Sequence, residues 1–251
     1  MAMRAAGQLS ANLLDYLEAF VKPGVSTLEL NDLAHDYTIK HGGIPAPLNY
    51  KGFPKSICTS VNEVVCHGIP NAKQKLRDGD IINIDVTSIV DGYYGDTSRM
   101  FYVGSSVSSA AKKLSECARV SLFKGIAAVQ EGSRTGDIGA AIQQYAEAQG
   151  FSVVREFVGH GIGRTFHEDP QILHYGQKGK GTRLGAGMVF TIEPMINQGH
   201  WKTKVLRDGW TAVTIDGSLS AQWEHTIGIL SSGEVVILTE SDREIESRPV
   251  I

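Results

Sequence analysis

Four carboxylates interrupt segments that otherwise read as apolar strands. Asp85 stands in Ile81-Ile82-Asn83-Ile84-Asp85-Val86 and Asp96 in Tyr94-Gly95-Asp96-Thr97, while Glu193 ends Val189-Phe190-Thr191-Ile192-Glu193 and Glu224 falls in Ala221-Gln222-Trp223-Glu224-His225. A carboxylate buried without a cation or hydrogen-bond donors is costly. Asp91-Gly92 is a strong two-residue hairpin signal. Counting back from it sets Val90 opposite Tyr93 and Asp85 opposite Ser98. Asp96 then lies diagonally across from Asp85 on the same face of the pleat. Two like charges at that spacing repel, and a cation between them resolves the conflict. Each acid also has a plain structural explanation: Asp85 paired with Arg99, Asp96 capping the turn after Gly95, Glu193 exposed before Pro194, Glu224 paired with a lysine. All four together, with a histidine segment between the pairs, make a shared metal site the better account.

That segment is Val158-Gly159-His160-Gly161-Ile162-Gly163-Arg164-Thr165-Phe166-His167-Glu168-Asp169-Pro170. Its clustered glycines would let the backbone approach closely whatever binds there. The two histidines beside them are candidates for ligation or proton transfer. A third, His67, stands in Val64-Val65-Cys66-His67-Gly68-Ile69-Pro70. A thiol-protease pairing of Cys66 with His67 is disfavoured, because neighbours on a strand point to opposite faces.

The elements that must position these groups follow from periodicity. Leu9, Leu13, Leu14, Leu17 and Val21 predict a helix over 5–22, closed by Pro23-Gly24. Ser26-Thr27-Leu28-Glu29 is a capping box that opens a second helix, running to about His41. Two more helices are predicted over 110–130 and 137–149, the latter stopped by Gly150. Strands are predicted over 81–86 and 93–103, and further along over 151–157, 189–195, 211–215, 221–230 and 234–238. Helices mixed with antiparallel hairpins predict an α+β fold. No linker divides the chain, which predicts a single catalytic domain over 1–251. The run from Gly79 to Asp85 also reads against the run from Gly187 to Glu193, each G-x-x-x-x-I followed by a carboxylate. This predicts an internal repeat, with two hairpins about a pseudo-twofold axis.

Composition removes several function classes. With 24 Lys and Arg against 27 Asp and Glu, the net charge of −3 argues against nucleic-acid readout. No apolar run approaches the ~20 residues needed to cross a bilayer, and residues 1–10 carry no secretion signal. The three cysteines, Cys58, Cys66 and Cys117, cannot all pair and form no C-x-x-C, which predicts a reducing, cytoplasmic setting.

Six stretches in order resemble the methionine aminopeptidases: NEVVCHGIP (62–70), NIDVT (83–87), YGDTSRMF (94–101), GHGIGRTFHEDP (159–170), FTIEPMI (190–196) and SAQWEHT (220–226). The resemblance spans nearly the whole chain, to Val235-Val236-Ile237-Leu238. It implies the pita-bread α+β fold, two halves related by pseudo-twofold symmetry with helices outside. It implies five metal ligands, Asp85, Asp96, His160, Glu193 and Glu224, for two divalent ions of the Co, Mn, Fe or Zn class. Asp96 and Glu224 would bridge, Asp85 would bind one ion, and His160 with Glu193 the other. Such paired ions, ~3.5–4 Å apart, activate water as a nucleophile. His67 and His167 are implied as catalytic groups that contact substrate, and Glu193 as the handler of the water's proton. Tyr50, Phe53, Cys58, Phe166 and Trp210 are implied to line an apolar pocket whose flat faces and sulfur suit a thioether. Pro47 departs from the pattern, standing where some relatives carry Cys. The implied activity is hydrolysis of the N-terminal methionine from nascent peptides with a small second residue. The implied partners are that peptide and, transiently, the ribosome; the protein would be a monomer, with neither membrane nor nucleic acid among its partners.

Two rival readings share parts of this pattern. Proline-specific peptidases of the same fold carry the same constellation, generally behind a further N-terminal domain for which no room is visible here. A non-catalytic peptide-binding scaffold is the other, and the intact ligand set speaks against it. Within the methionine group, the short spacing between Glu193 and Glu224 leaves no room for the helical insertion of one branch. Absence of an N-terminal zinc-binding extension suggests a bacterial or organelle-type form.

Overall fold

The apolar periodicities resolve into two helix pairs, each followed by strands, in a computed structural model that describes residues 2–249. The first half holds α1 (Ala2–Glu18), α2 (Thr27–Lys40), β1 (Ile44–Pro45), β2 (Cys58–Val61), β3 (Val64–Cys66), β4 (Ile81–Val90) and β5 (Tyr93–Tyr102). The second opens with α3 (Ser109–Ala127), α4 (Thr135–Ala148), β6 (Ser152–Val153), β7 (Gly159–Gly161) and β8 (Glu168–Ile172). It continues with β9 (Val189–Ile192), β10 (Met195–Asn197), β11 (Thr203–Val205), β12 (Ala212–Thr214), β13 (Ser220–Gln222), β14 (His225–Ile229), β15 (Val235–Ile237) and α5 (Asp242–Glu246). The described strand ladders are antiparallel, as the mixture of helices and hairpins required. None of the described helices is long and apolar enough to cross a membrane.

The first helix ends four residues sooner than its apolar pattern suggests. Phe20 and Val21 donate to Leu17 and Glu18 at i→i−3, tightening the last turn ahead of Pro23. Val21 stays buried, but in the turn. The capping box at Ser26 is present in full, the Glu29 carboxylate accepting from the Ser26 N–H at 2.8 Å. Asp91 and Gly92 take φ of 51° and 75°, the left-handed pair that a two-residue hairpin demands. Helix α1 lies directly on that hairpin. A Cβ on Gly95 would stand 2.3 Å from the Gly7 nitrogen, so only glycine admits this approach. Ser10 seals it, donating to the Gly95 carbonyl at 2.7 Å and accepting from the Ser88 N–H at 3.1 Å.

The internal repeat extends well beyond the two matched strands. Backbone bonds from Gly24 to Leu76, from Thr27 to Gln74 and from Leu76 to Val25 recur from Gly132 to Leu184, from Thr135 to Thr182 and from Leu184 to Ser133. The bridge between Ser26 and Lys75 recurs between Arg134 and Arg183. Every one of these positions is displaced by 108 residues, as are Gly79 and Gly187, and Asp85 and Glu193. Each half also has its own core, one around Leu14, Leu30, Ile82 and Phe101, the other around Leu114, Ile142, Phe190 and Ile227.

Two predicted strands prove to be broken. The stretch 189–195 splits into β9 and β10 around Glu193-Pro194, and 221–230 splits into β13 and β14 around Trp223-Glu224. β9 pairs with β14, and β10 with β13 in a different sheet. A two-stranded ribbon therefore passes from one sheet to the next, bending where Pro194 lacks an N–H to continue a ladder. The stretch 151–157 keeps only β6.

Candidate metal centre

Each acid is aimed by the element that carries it. On the β4–β5 hairpin Asp85 faces Ser98 and Thr87 faces Asp96, the diagonal set by the Asp91-Gly92 turn. Thr87 donates its hydroxyl to Asp96 Oδ1 at 2.6 Å. Glu193 and Glu224 stand at the bend of the ribbon, just past the ends of the β9–β14 ladder, where side chains leave the regular alternation. The hairpin and the ribbon are then stitched together. The Glu224 N–H donates to the Ser98 carbonyl at 3.1 Å, and Thr97 donates to the Glu224 carbonyl at 2.7 Å. Thr226 both accepts from the Asp96 N–H and donates to its carbonyl.

His160 comes from β7. Its Nδ1 lies 3.0 Å from the Gly161 carbonyl, an acceptor only, so Nδ1 carries the hydrogen. Nε2 is left toward the acids, 3.5 Å from Asp96 Oδ2 and 3.7 Å from Glu193 Oε1. This is the tautomer a metal-binding imidazole needs, with its far nitrogen held by the protein. One donor atom each from Asp96, His160 and Glu224 lies within 4.8 Å of the others. Glu193 joins through its contact with His160, and Asp85 lines the same cavity from the neighbouring strand.

The glycines around His160 serve a different purpose from the one their spacing suggested. A Cβ on Gly159 would meet the Thr191 carbonyl oxygen at 2.4 Å, and one on Gly161 the Asp169 carbonyl oxygen at 2.2 Å. They admit the neighbouring strands of the protein itself rather than a ligand.

The electrostatics are those of a site built for cations. Asp96, His160, Glu193 and Glu224 are all buried, and Asp85 is half-buried. Among the described residues no donor bonds the side chain of Asp85 or of Glu224, and Arg99 is committed instead to Asp15 and Glu244. Burial first, then the charges of Asp96 and Glu193, push the Asp85 carboxyl well above the usual range, and Glu224 likewise. Burial and Asp96 hold Glu193 up at about 7, against the pull of His160 and Thr191. Burial pulls the His160 imidazole down, but the hydrogen bond and charge of Asp96 and the charge of Glu193 outweigh it and hold it at about 9. Oxygen donors and one imidazole, closely set and without a Lys or Arg ion pair among the described residues, fit divalent ions of the Mn, Fe, Co or Zn class.

The remaining predicted residues surround this cluster. The cavity, of about 320 Å³, is lined by Tyr50, Phe53, Cys58, Phe166 and Trp210 as well as the acids, with Pro47 also on its wall. Phe53 meets Trp210 edge-on at 5.2 Å, and Tyr50 lies 4.7 Å from Phe166. His67 follows the end of β3 in a left-handed conformation, φ 55°, which turns its ring toward the cavity while Cys66 packs into the core with Val65 and Met195. Burial holds His67 below its ordinary value. His167 lies 3.0 Å through Nδ1 from the Tyr50 hydroxyl, and burial, then the charge of His160, press it to about 4. Three supporting side chains went unread in the sequence: Thr87 on Asp96, and Thr191 and Gln222 on Glu193. Thr191 stands two positions from Glu193 and Thr87 faces Asp96 directly across the hairpin, so the strand's period and the turn's register were the available signals.

The model of metallopeptidase family M24 matches residues 1–230. Methionine aminopeptidase A of Synechocystis is 63% identical over 94% of this chain and 93% of its own length. The crystal structure of methionine aminopeptidase from Rickettsia prowazekii superposes with a TM-score of 0.92 at 57% identity, covering 94% of this chain and 95% of that one. A Xaa-Pro dipeptidase from Bacillus anthracis reaches a TM-score of 0.77 at 21% identity over 96% of this chain and 60% of its own, a likeness of fold alone.

Proposed function

The chain belongs to metallopeptidase family M24, and we propose that it hydrolyses the first peptide bond of chains that begin with methionine. Its fold is the family's pita-bread α+β fold. One observation carries the reading. Carboxylates for which no Lys or Arg forms an ion pair among the described residues converge with His160 on a cavity that aromatic, apolar and sulfur-bearing side chains also line. Asp85, Asp96, His160, Glu193 and Glu224 would hold the metal, which would supply Lewis-acid chemistry there: charge to offset the acids and to polarise a carbonyl and a water.

The side chains supply the rest. His167 is neutral at physiological pH, and with Tyr50 donating to Nδ1 its Nε2–H is left to donate to the carbonyl oxygen as negative charge grows there. His67, on the same cavity and held between Phe157 and Trp210, contacts the scissile amide nitrogen and the amine that leaves. Glu193 takes the proton of the water and passes it to that amine. Tyr50, Phe53, Cys58, Phe166 and Trp210 receive the methionine side chain, and the second residue of the substrate is a small one. The chain works as one unit over 1–251, as a cytoplasmic monomer on nascent peptides at the ribosome. Hydrolysis of Met-Ala-Ser, Met-Leu and Xaa-Pro peptides, assayed side by side with Mn²⁺ or Co²⁺, tests the proposal. Release of methionine from Met-Ala-Ser alone is expected. Cleavage of Xaa-Pro without Met-Ala-Ser would transfer the chain to the proline-specific group, and no cleavage with metal bound would leave a binding scaffold.

A further inference from the structure

Glu193 is held from three sides. Thr191 donates to Oε1 at 2.8 Å, Gln222 approaches Oε2 at 3.3 Å, and the backbone N–H of Glu193 itself donates to Nε2 of His174 at 3.1 Å. The third contact occurs where a ladder bond has been lost. β9 ends at Ile192 and the ribbon bends at Pro194, so the Glu193 amide has no strand to bond. His174, in the bend that follows β8, stands in for one.

That imidazole is buried, at 1% exposure. An amide N–H only donates, so Nε2 must be the bare nitrogen and the hydrogen of the neutral ring sits on Nδ1. Nδ1 is buried and has no partner among the described residues. A buried donor left without an acceptor costs about 1–3 kcal/mol; histidine leaves its Nδ1–H in that state, whereas leucine would remove it but strand the Glu193 N–H instead. Core stability therefore gives histidine no advantage of its own, and its one polar contact, to the Glu193 amide, is what sets it apart.

We propose that His174 is a positioning residue for Glu193: its neutral imidazole anchors the Glu193 backbone where the ribbon changes sheets and so aims the carboxylate into the cavity beside His160. This rests on the reading of Glu193 as metal ligand and proton carrier. Outer partners of this kind typically change metal affinity or activity by about 10–100-fold when lost.

The test compares His174→Leu, which removes the acceptor, with His174→Gln, whose Oε1 reaches the place of Nε2. In metal-free protein, the Glu193 amide hydrogen should exchange about tenfold faster in the leucine variant and recover in the glutamine variant. Mn²⁺ affinity and kcat on Met-Ala-Ser should fall about 10–100-fold with leucine, KM staying within about threefold, and glutamine should restore most of the loss. The leucine variant should also lose about 1–3 kcal/mol of stability, because the Glu193 N–H is left without an acceptor, so affinity and kcat are measured well below its melting transition. Full metal affinity and kcat in the leucine variant would overturn the proposal, as would a glutamine variant no better than leucine at equal melting temperature. Should the leucine variant not fold, the ¹⁵N resonances of wild-type His174 decide, because a protonated Nε2 would contradict the assigned bond. A wild-type protein that shows the expected exchange but cleaves no methionyl peptide would sink the activity and leave the positioning role standing.

Discussion

Metal binding should be steeply pH-dependent, because the ligands hold protons that the metal must displace. In the metal-free protein His160 is held at about 9 and Glu193 at about 7. At pH 6 these two groups together carry close to two protons; at pH 7 about 1.5; at pH 8 about one. Integrated over that range, they alone raise the apparent affinity for Mn²⁺ about 10³-fold, or about 4 kcal/mol. Asp85 and Glu224, both pushed well up, add to the slope in the same direction. Competition with a chromophoric chelator at pH 6, 7 and 8 gives the affinities. Calorimetry in buffers of different ionisation enthalpy counts the protons released. A parallel effect belongs to folding. Glu193 and His160 both have folded-state values above their unfolded ones, so stability they contribute at low pH is lost as pH rises, through about 7 for Glu193 and about 9 for His160. Above pH 6.5 the metal-free protein should therefore melt at falling temperature, and the loaded protein should not. An affinity that changes less than about tenfold between pH 6 and 8, or metal uptake that releases no protons at pH 7, would refute the electrostatic reasoning.

Three further outcomes are expected. His67→Asn keeps a residue tolerant of the left-handed φ of 55° but removes the ring; kcat should fall about 10²–10⁴-fold with metal content unchanged, and lost metal would show that the histidine holds the site together instead. Gly95→Ala would force a Cβ to 2.3 Å from the Gly7 nitrogen; helix α1 must shift beside Asp96, costing about 1–3 kcal/mol in urea unfolding and lowering metal content, and an unchanged unfolding midpoint would count against the packing described. Arg99→Met removes the guanidinium that hydrogen-bonds Asp15 at 2.7 Å and forms an ion pair with Glu244 at 2.9 Å; stranding those acids should cost about 3–5 kcal/mol in unfolding free energy, whereas a cost below about 1 kcal/mol would show them already solvated.

The amount that could be read in advance differed from element to element. The Asp85–Asp96 diagonal was legible because a two-residue turn sets hairpin register, and period two then assigns every side chain to a face. The matching pair was harder. Glu193 and Glu224 lie in apolar runs that look continuous, and only the structure shows both runs broken there. The glycines of 159–163 were read as room for a ligand, yet Gly159 and Gly161 make room for strands. His174 carried no signal, since its role depends on an amide orphaned by a bend elsewhere in the chain.

From its sequence alone this protein's chemistry and local geometry were determined: acids and imidazoles of hard-metal type, a capping box, a hairpin with known facing, and a repeat of G-x-x-x-x-I plus a carboxylate. Such features depend on backbone dihedrals and hydrogen bonds within a few residues of one another. Tertiary structure decided that the halves meet with their acids in one cavity, where Thr97 reaches the Glu224 carbonyl across 127 positions. No short-range preference encodes that meeting. It follows from how two separate apolar cores and a bent ribbon pack together, and the burial created there raises the carboxyls and sets the cavity's need for cations.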